Sequence, residues 1–195
     1  GNNTTTFVRQ RLVGTTTYAN SNRVPITFFS SSMDTTTRIA TFNGESGSAT
    51  FELPFAPAFA IVDYYNEISD AVCSEAVEIK NTQRHNMAYA YAGLQATSYN
   101  SKAWINIDHH WIMPDTAFAH HPAIKRMSPN RYWKVTGNLP QDNTIKGRFW
   151  YAVHSTNEYQ YLDKGLLDRS NSVDSLILLY RPNSNSEWTP ISATR

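Results

Sequence analysis

The stretch AWINIDHHWIMPD, Ala103 to Asp115, decides how the rest of the chain is read. From Trp104 onward it holds two tryptophans, two adjacent histidines, two aspartates and a proline stop. Side chains alternate across an extended segment, so Ile105, Ile107 and His109 share one face while Asn106, Asp108 and His110 share the other. This pattern predicts a central β-strand over residues 103–112 whose C-terminal end carries a polar cluster into a loop. Pro114 ends the strand, and a long loop with several prolines follows up to residue 129.

Outward from this strand, the chain reads as strands and turns. It is rich in Thr, Ser and Asn, 13% aromatic with 11 Tyr, and lacks long runs of Ala, Leu, Glu and Lys. That bias favours β-structure. Before it, strands are expected at residues 4–13, 23–29, 36–42, 49–53 and 59–62. Pro25 suggests an edge or a bulge in the second of these. NGESG at residues 43–47 is a turn signal, because Asn-Gly tolerates positive φ. Ser69 or Asp70 is placed to cap a single helical turn. From Val77 the strand pattern resumes. Met87, Tyr89 and Tyr91 alternate with Ala88, Ala90 and Ala92, and Gly93 is a position for a bulge. After the long loop, strands are expected at residues 131–136, 146–153, 175–180 and 188–191, with a polar turn at 168–174. The whole predicts an all-β fold of two consecutive antiparallel β-sandwich domains, immunoglobulin-like or Greek-key in type with little helix. Residues 1–69 would form a small sandwich and 70–195 a larger one.

Composition narrows the function classes. A net charge of +1 offers no strong field of one sign, which argues against nucleic-acid and membrane-surface partners. No apolar run approaches the roughly 20 residues that span a bilayer. The one cysteine, Cys73, rules out an internal disulfide and reads as a small buried hydrophobe. The chain opens GNNTTT, which reads as a fragment of a longer protein with Gly1 a cloning remnant.

Four constellations could carry chemistry. His110, His120 and His121 with Asp115 contain enough donors for a three-ligand zinc site, yet adjacent His109 and His110 point to opposite strand faces, and no H-E-x-x-H occurs. Glu75 with Glu78, or Asp163 with Asp168, could be offered as a glycosidase acid and base. Nothing in their spacing separates them from solvated turn acids. Trp104, Trp111, Trp133, Trp150 and Trp188 could build a sugar-stacking platform, although strand aromatics usually fill a core. Arg131, Arg148 and Arg181 lie near aromatic neighbours, where an arginine stacked on a ring and paired with Asp108 or Asp115 makes a structural clamp. G-x-S-x-G, Walker and dinucleotide-binding motifs are absent. The bland reading favours a structural hub of Asp108, His109, His110, Trp111, Asp115, Arg131 and Trp133. If that hub is buried, removing Asp115 would cost about 1–3 kcal/mol by orphaning its partners.

Several stretches, taken together, resemble one family. They are FVRQ (7–10), VPITF (24–28), FELPFAPAFAIVD (51–63), ISDA (68–71), INIDHHWIMPD (105–115), SPNRYWKVTG (128–137), GRFWY (147–151) and LLYRPNSNSEWTPI (178–191). This set resembles the C-terminal β-rich region of Bacteroidetes secreted zinc metallopeptidases of the aminopeptidase-N type. In that family a β-sandwich follows the catalytic domain and a second β-domain follows it, often before a sorting domain. The family's G-x-M-E-N substrate loop and H-E-x-x-H zinc helix are both missing here, so no catalytic residue carries over. The resemblance implies a non-catalytic, cofactor-free portion of a secreted or cell-surface peptidase. Its partner would be the catalytic domain of the same polypeptide. Two other classes stay open at this point: a carbohydrate-binding module with an aromatic platform, and a small zinc hydrolase.

Overall fold

A computed structural model of the chain describes residues 1–117, 119–152, 160–163, 166 and 176–194. Among the described residues the protein is all β apart from one helical turn, and its strands form several small sheets of sandwich type. None of the described helices is long and apolar enough to cross a membrane.

The first five strands are β1 (Asn2–Arg9), β2 (Asn22–Phe29), β3 (Thr35–Phe42), β4 (Ser46–Leu53) and β5 (Phe59–Val62). β1 and β4 pair antiparallel along their whole length, from Asn2↔Leu53 to Arg9↔Ser46. β2 is the centre of a second antiparallel sheet, ordered β3-β2-β5. Ile26, Phe28, Ala40 and Leu53 are buried together, with Val8, Val24, Ala49, Phe51, Phe55 and Ala60 packed around them. The cluster draws on all four long strands, which is the inner layer of a sandwich. Val8 turns inward while Phe7, next to it, is 85% exposed. Side chains alternate along β1 with the even-numbered residues inward, and the strand ends at Arg9 rather than running on to residue 13.

Two local readings change. Pro25 marks neither an edge nor a bulge, because the β2–β3 register runs without interruption from Asn22↔Phe42 to Phe29↔Thr35. A residue's N–H and C=O point to the same side of a strand. The Pro25 carbonyl accepts the Asp63 amide at 2.9 Å, so its missing N–H also faces the β5 side. Pairing with β5 begins only at Ile26, and the proline removes no ladder bond to β3. NGESG does form the expected turn, and Gly44 takes φ +73°. It links strands of different sheets, so it is a corner rather than a hairpin.

The next strands are β6 (Val72–Ile79), β7 (Arg84–Met87), β8 (Ala92–Ser98), β9 (Ala103–His110), β10 (Tyr132–Asn138) and β11 (Thr144–Phe149). They form two sheets, β10-β9-β6 and β11-β8-β7. The helical turn expected at Ser69 or Asp70 is absent. The Asp70 carboxylate instead accepts the Val72 amide at 3.0 Å and leads directly into β6. The middle of the Tyr-Ala alternation of 87–92 is not a strand either. Residues 88–91 form a tight turn closed by Tyr91 N–H to Ala88 O at 3.1 Å, with Tyr91 at φ +51°. The hairpin register from Arg84↔Gln95 to Met87↔Ala92 is regular through Gly93, so no bulge forms there. The chain closes with a single helical turn, α1 (Gln160–Asp163), and the hairpin β12 (Leu178–Tyr180) with β13 (Thr189–Ile191). The expected polar turn at 168–174, and Asp168 within it, lie outside the described residues.

By packing, the chain divides into two units, Gly1–Asp108 with Lys134–Arg148, and His109–Trp133 with Phe149–Arg195. The boundary expected after residue 69 falls inside the first unit. Within that unit Trp104 of β9 packs on Phe29 and Phe59 of the first five strands, at 4.9 and 5.4 Å between ring centres.

Candidate functional site

The opening stretch forms β9, and residues 105–109 of it are buried without alternation. Ile105 and Ile107 supply one apolar row. Asn106 and Asp108 are buried on the other row, where a polar side chain needs partners. Within the first unit, Asp108 Oδ1 accepts Ser74 Oγ–H at 2.8 Å and Asn106 Nδ2–H at 2.5 Å. Burial pushes the Asp70 carboxyl above the usual carboxylate range, and repulsion from Asp63 and Asp108 acts the same way, while the Val72 amide opposes it. Burial, and then Asp70, likewise push the Cys73 thiol up. A nucleophilic thiol needs the opposite shift.

His109 opens the second unit and is fully buried. Its ring stacks on Trp133 at 5.1 Å between centres, with 9° between planes. The Trp111 indole N–H donates to its Nδ1 at 3.1 Å. An imidazole that accepts at Nδ1 is the neutral form with its proton on Nε2. Burial first, then the positive charge of Arg131 and the neighbouring His110, lower its basicity to a pKa of about 3. His110 faces away, and its ring lies flat on Tyr132 at 4.5 Å.

Arg131 is the second fixed point. It is 3% exposed, its guanidinium lies 4.8 Å over the Trp133 ring, and Nη2 donates to Asp163 Oδ2 at 2.7 Å and to Trp150 O at 2.8 Å. The same Asp163 oxygen accepts the Ala152 amide at 2.6 Å. One buried carboxylate thus joins α1, the residue before β10 and the segment that follows β11. Asn130 adds bonds from Nδ2 to the Tyr161 and Leu162 carbonyls, both 3.2 Å. A charged pair this deeply buried is tolerated because each member has both a counter-ion and a backbone partner.

A third fixed point in this unit is built on Trp188, whose indole N–H donates to the Asp115 carbonyl at 2.8 Å. The Arg181 guanidinium lies 4.4 Å over the same ring and 3.9 Å from Asp115 Oδ2. The clamp expected of an arginine on an aromatic ring beside Asp115 is present here. The Asp115 side chain is nonetheless 47% exposed.

The seven residues expected to form one hub therefore fall into four places. His109, Trp111, Arg131 and Trp133 are brought together. Asp108 is bound by Ser74 and Asn106 in the first unit, Asp115 belongs to the Trp188 clamp, and His110 stands on Tyr132. The member that sequence reasoning missed is Asp163, whose sequence surroundings do not separate it from a solvated turn acid. Its partner lies 32 residues away in the chain, and no local pattern marks such a pairing.

The zinc candidates do not converge. His120 Nδ1 lies 2.7 Å from Glu187 Oε1 on the surface, a bond that also holds the Glu187 carboxyl below its usual range. His121 Nδ1 accepts the Ala123 amide and Asp115 Oδ1 the Ala117 amide. Among the described residues no three of His, Cys, Asp and Glu are placed to hold a metal ion. Of the carboxylate candidates, Glu75 accepts the Tyr89 amide, and Glu78 is paired with Lys80 and Lys102. Of the tryptophans, Trp188 is 8% exposed and Trp150 is 37% exposed. Trp104 and Trp133 each have a ring neighbour stacked on one side.

No protein-family model, curated protein or solved structure matches this chain.

Proposed function

We propose that this chain is a non-catalytic structural and interaction module of a secreted or cell-surface zinc metallopeptidase of the aminopeptidase-N type. In this reading it packs on the peptidase's catalytic domain or spaces it from a following segment. The peptidase parentage rests on the resemblance of the quoted stretches. The non-catalytic part rests on one observation above all: the buried Arg131–Asp163 pair, with Trp133, His109 and Trp111 around it, is engaged in contacts inside the fold. A catalytic base needs a pKa near the working pH and reach to a substrate. His109 has neither, being enclosed and held neutral far below that range.

The test has two arms. The reading frame upstream of Gly1 is expected to encode an H-E-x-x-H zinc helix, and a frame without one overturns the parentage. The purified chain is then assayed on amino-acid p-nitroanilides with added zinc. No turnover is expected. Zinc-dependent turnover abolished by His120→Ala or His110→Ala would replace this reading with the hydrolase.

A further inference from the structure

The second unit contains a neutral imidazole at a junction of two fixed points. His109 is fully buried, accepts the Trp111 indole N–H at Nδ1, and stacks on the same Trp133 ring that carries the Arg131 guanidinium. Nδ1 is the atom that must take up the proton when the ring becomes imidazolium, since a ring accepting there already carries its proton on Nε2. The proton therefore arrives where Trp111 donates. Two N–H groups then point at each other, and the new charge lies in the field of Arg131.

We propose that His109 is an acid-operated latch, in which proton capture at Nδ1 expels the Trp111 indole and frees the ring from Trp133, loosening the second unit around Arg131. The latch does not depend on the metallopeptidase reading.

The charged and titratable groups around it decide the direction. From the residue preceding β10 comes Arg131, which repels the imidazolium, and from β9 itself comes His110, which does the same when charged. Trp111 and Trp133 do not titrate. Tyr132 of β10 stacks on His110. The acid bonded to Arg131 is Asp163, whose Oδ2 is already shared between Arg131 and the Ala152 amide. The net bias of these named groups is against the charged ring inside the fold. A solvated histidine protonates near 6.5. Acid thus drives the ring outward rather than charging it in place.

Selective 15N labelling of tryptophan gives five indole signals, and Trp111→Phe identifies the one from Trp111. The full chain is followed from pH 8 to pH 4 by solvent exchange of that proton, corrected for the intrinsic exchange rate. Protection of the Trp111 indole is expected to fall about 30-fold between pH 8 and pH 5, the factor by which a group of pKa near 6.5 favours the open form at pH 5 when the closed form cannot bind the proton. In His109→Gln, which can still accept from Trp111 but cannot take a charge, protection is expected to stay flat over the same range. An equal fall in His109→Gln, or no fall in the unaltered protein, overturns the latch. Should His109→Gln fail to fold, the unaltered protein suffices. The His109 ring carbon and the Trp111 indole are expected to shift together at one midpoint. A ring that titrates while the indole signal stays in place overturns it as well.

Discussion

The first five strands and the second unit hold themselves together by different means. In the first region the work is done by volume. Ile26, Phe28, Ala40 and Leu53 are buried with no polar atom to satisfy, and Phe51 meets Phe28 edge-on at 5.8 Å. In the second unit the work is done by directed contacts, with two arginines over two tryptophans, one buried carboxylate bonding two partners, and a neutral histidine wedged between indoles. An apolar layer tolerates shape-preserving exchange and fails by loss of volume. A polar fastening tolerates little, because deleting one partner leaves the other buried without compensation.

The sharpest breaks of this contrast are expected from Phe28→Ala and Asp163→Ala, each costing about 3–5 kcal/mol, the first by leaving a cavity and the second by stranding Arg131. Urea unfolding followed by fluorescence checks both. Phe28→Leu should recover most of the first loss. Asp163→Asn should recover little of the second, because the missing charge is what Arg131 needs.

Acidification comes next and acts on the second unit. His109 has a folded pKa of about 3, against about 6.5 in an unfolded chain. Between those values the unfolded state binds the extra proton, so stability is complete above about pH 6.5 and declines as pH falls toward 3. The loss from this group is on the order of 2 kcal/mol at pH 5. Urea midpoints measured at pH 8 and pH 5 in the protein and in His109→Gln isolate that share, which the variant should lack.

Smaller effects probe single turns. Gly44→Ala is expected to cost about 1 kcal/mol in thermal unfolding, since its φ of +73° strains any side chain although open space surrounds it. Asp115→Ala should cost less than about 1 kcal/mol, because its side chain is largely solvated and Trp188 bonds its carbonyl rather than its carboxylate. This replaces the larger loss that a buried hub would have implied.

What could be read in advance follows the range of the interactions. Local alternation and turn chemistry located β2, β3, β5 and β9 and the Gly44 corner, because those depend on residues next to one another. They failed where a short pattern imitates another. The Ala-Tyr alternation at 88–91 has the period of a strand, yet its middle is a turn with Tyr91 at positive φ. Asp70 sits where a helix cap would, and it serves the first turn of a strand instead. At the candidate site, the placing of His109 on one face with Ile105 and Ile107 was legible, but the burial of both faces of β9 was not. The partner of Arg131 was not legible, since Asp163 stands among other polar turn residues and only the folded chain brings it within 2.7 Å. The bond from Ser74 to Asp108 spans 34 residues and was hidden for the same reason. Adjacent residues on a strand need not serve the same unit.

The fastening role of the second unit's ionic groups is tested most directly by a double-mutant cycle on Arg131→Met and Asp163→Leu, read by urea unfolding. Each single change is expected to cost several kcal/mol, and the double variant should be markedly more stable than the sum of the two losses, with a coupling of about 2–4 kcal/mol. Additive losses, or single variants as stable as the unaltered protein, would show that these side chains are not what secures this region.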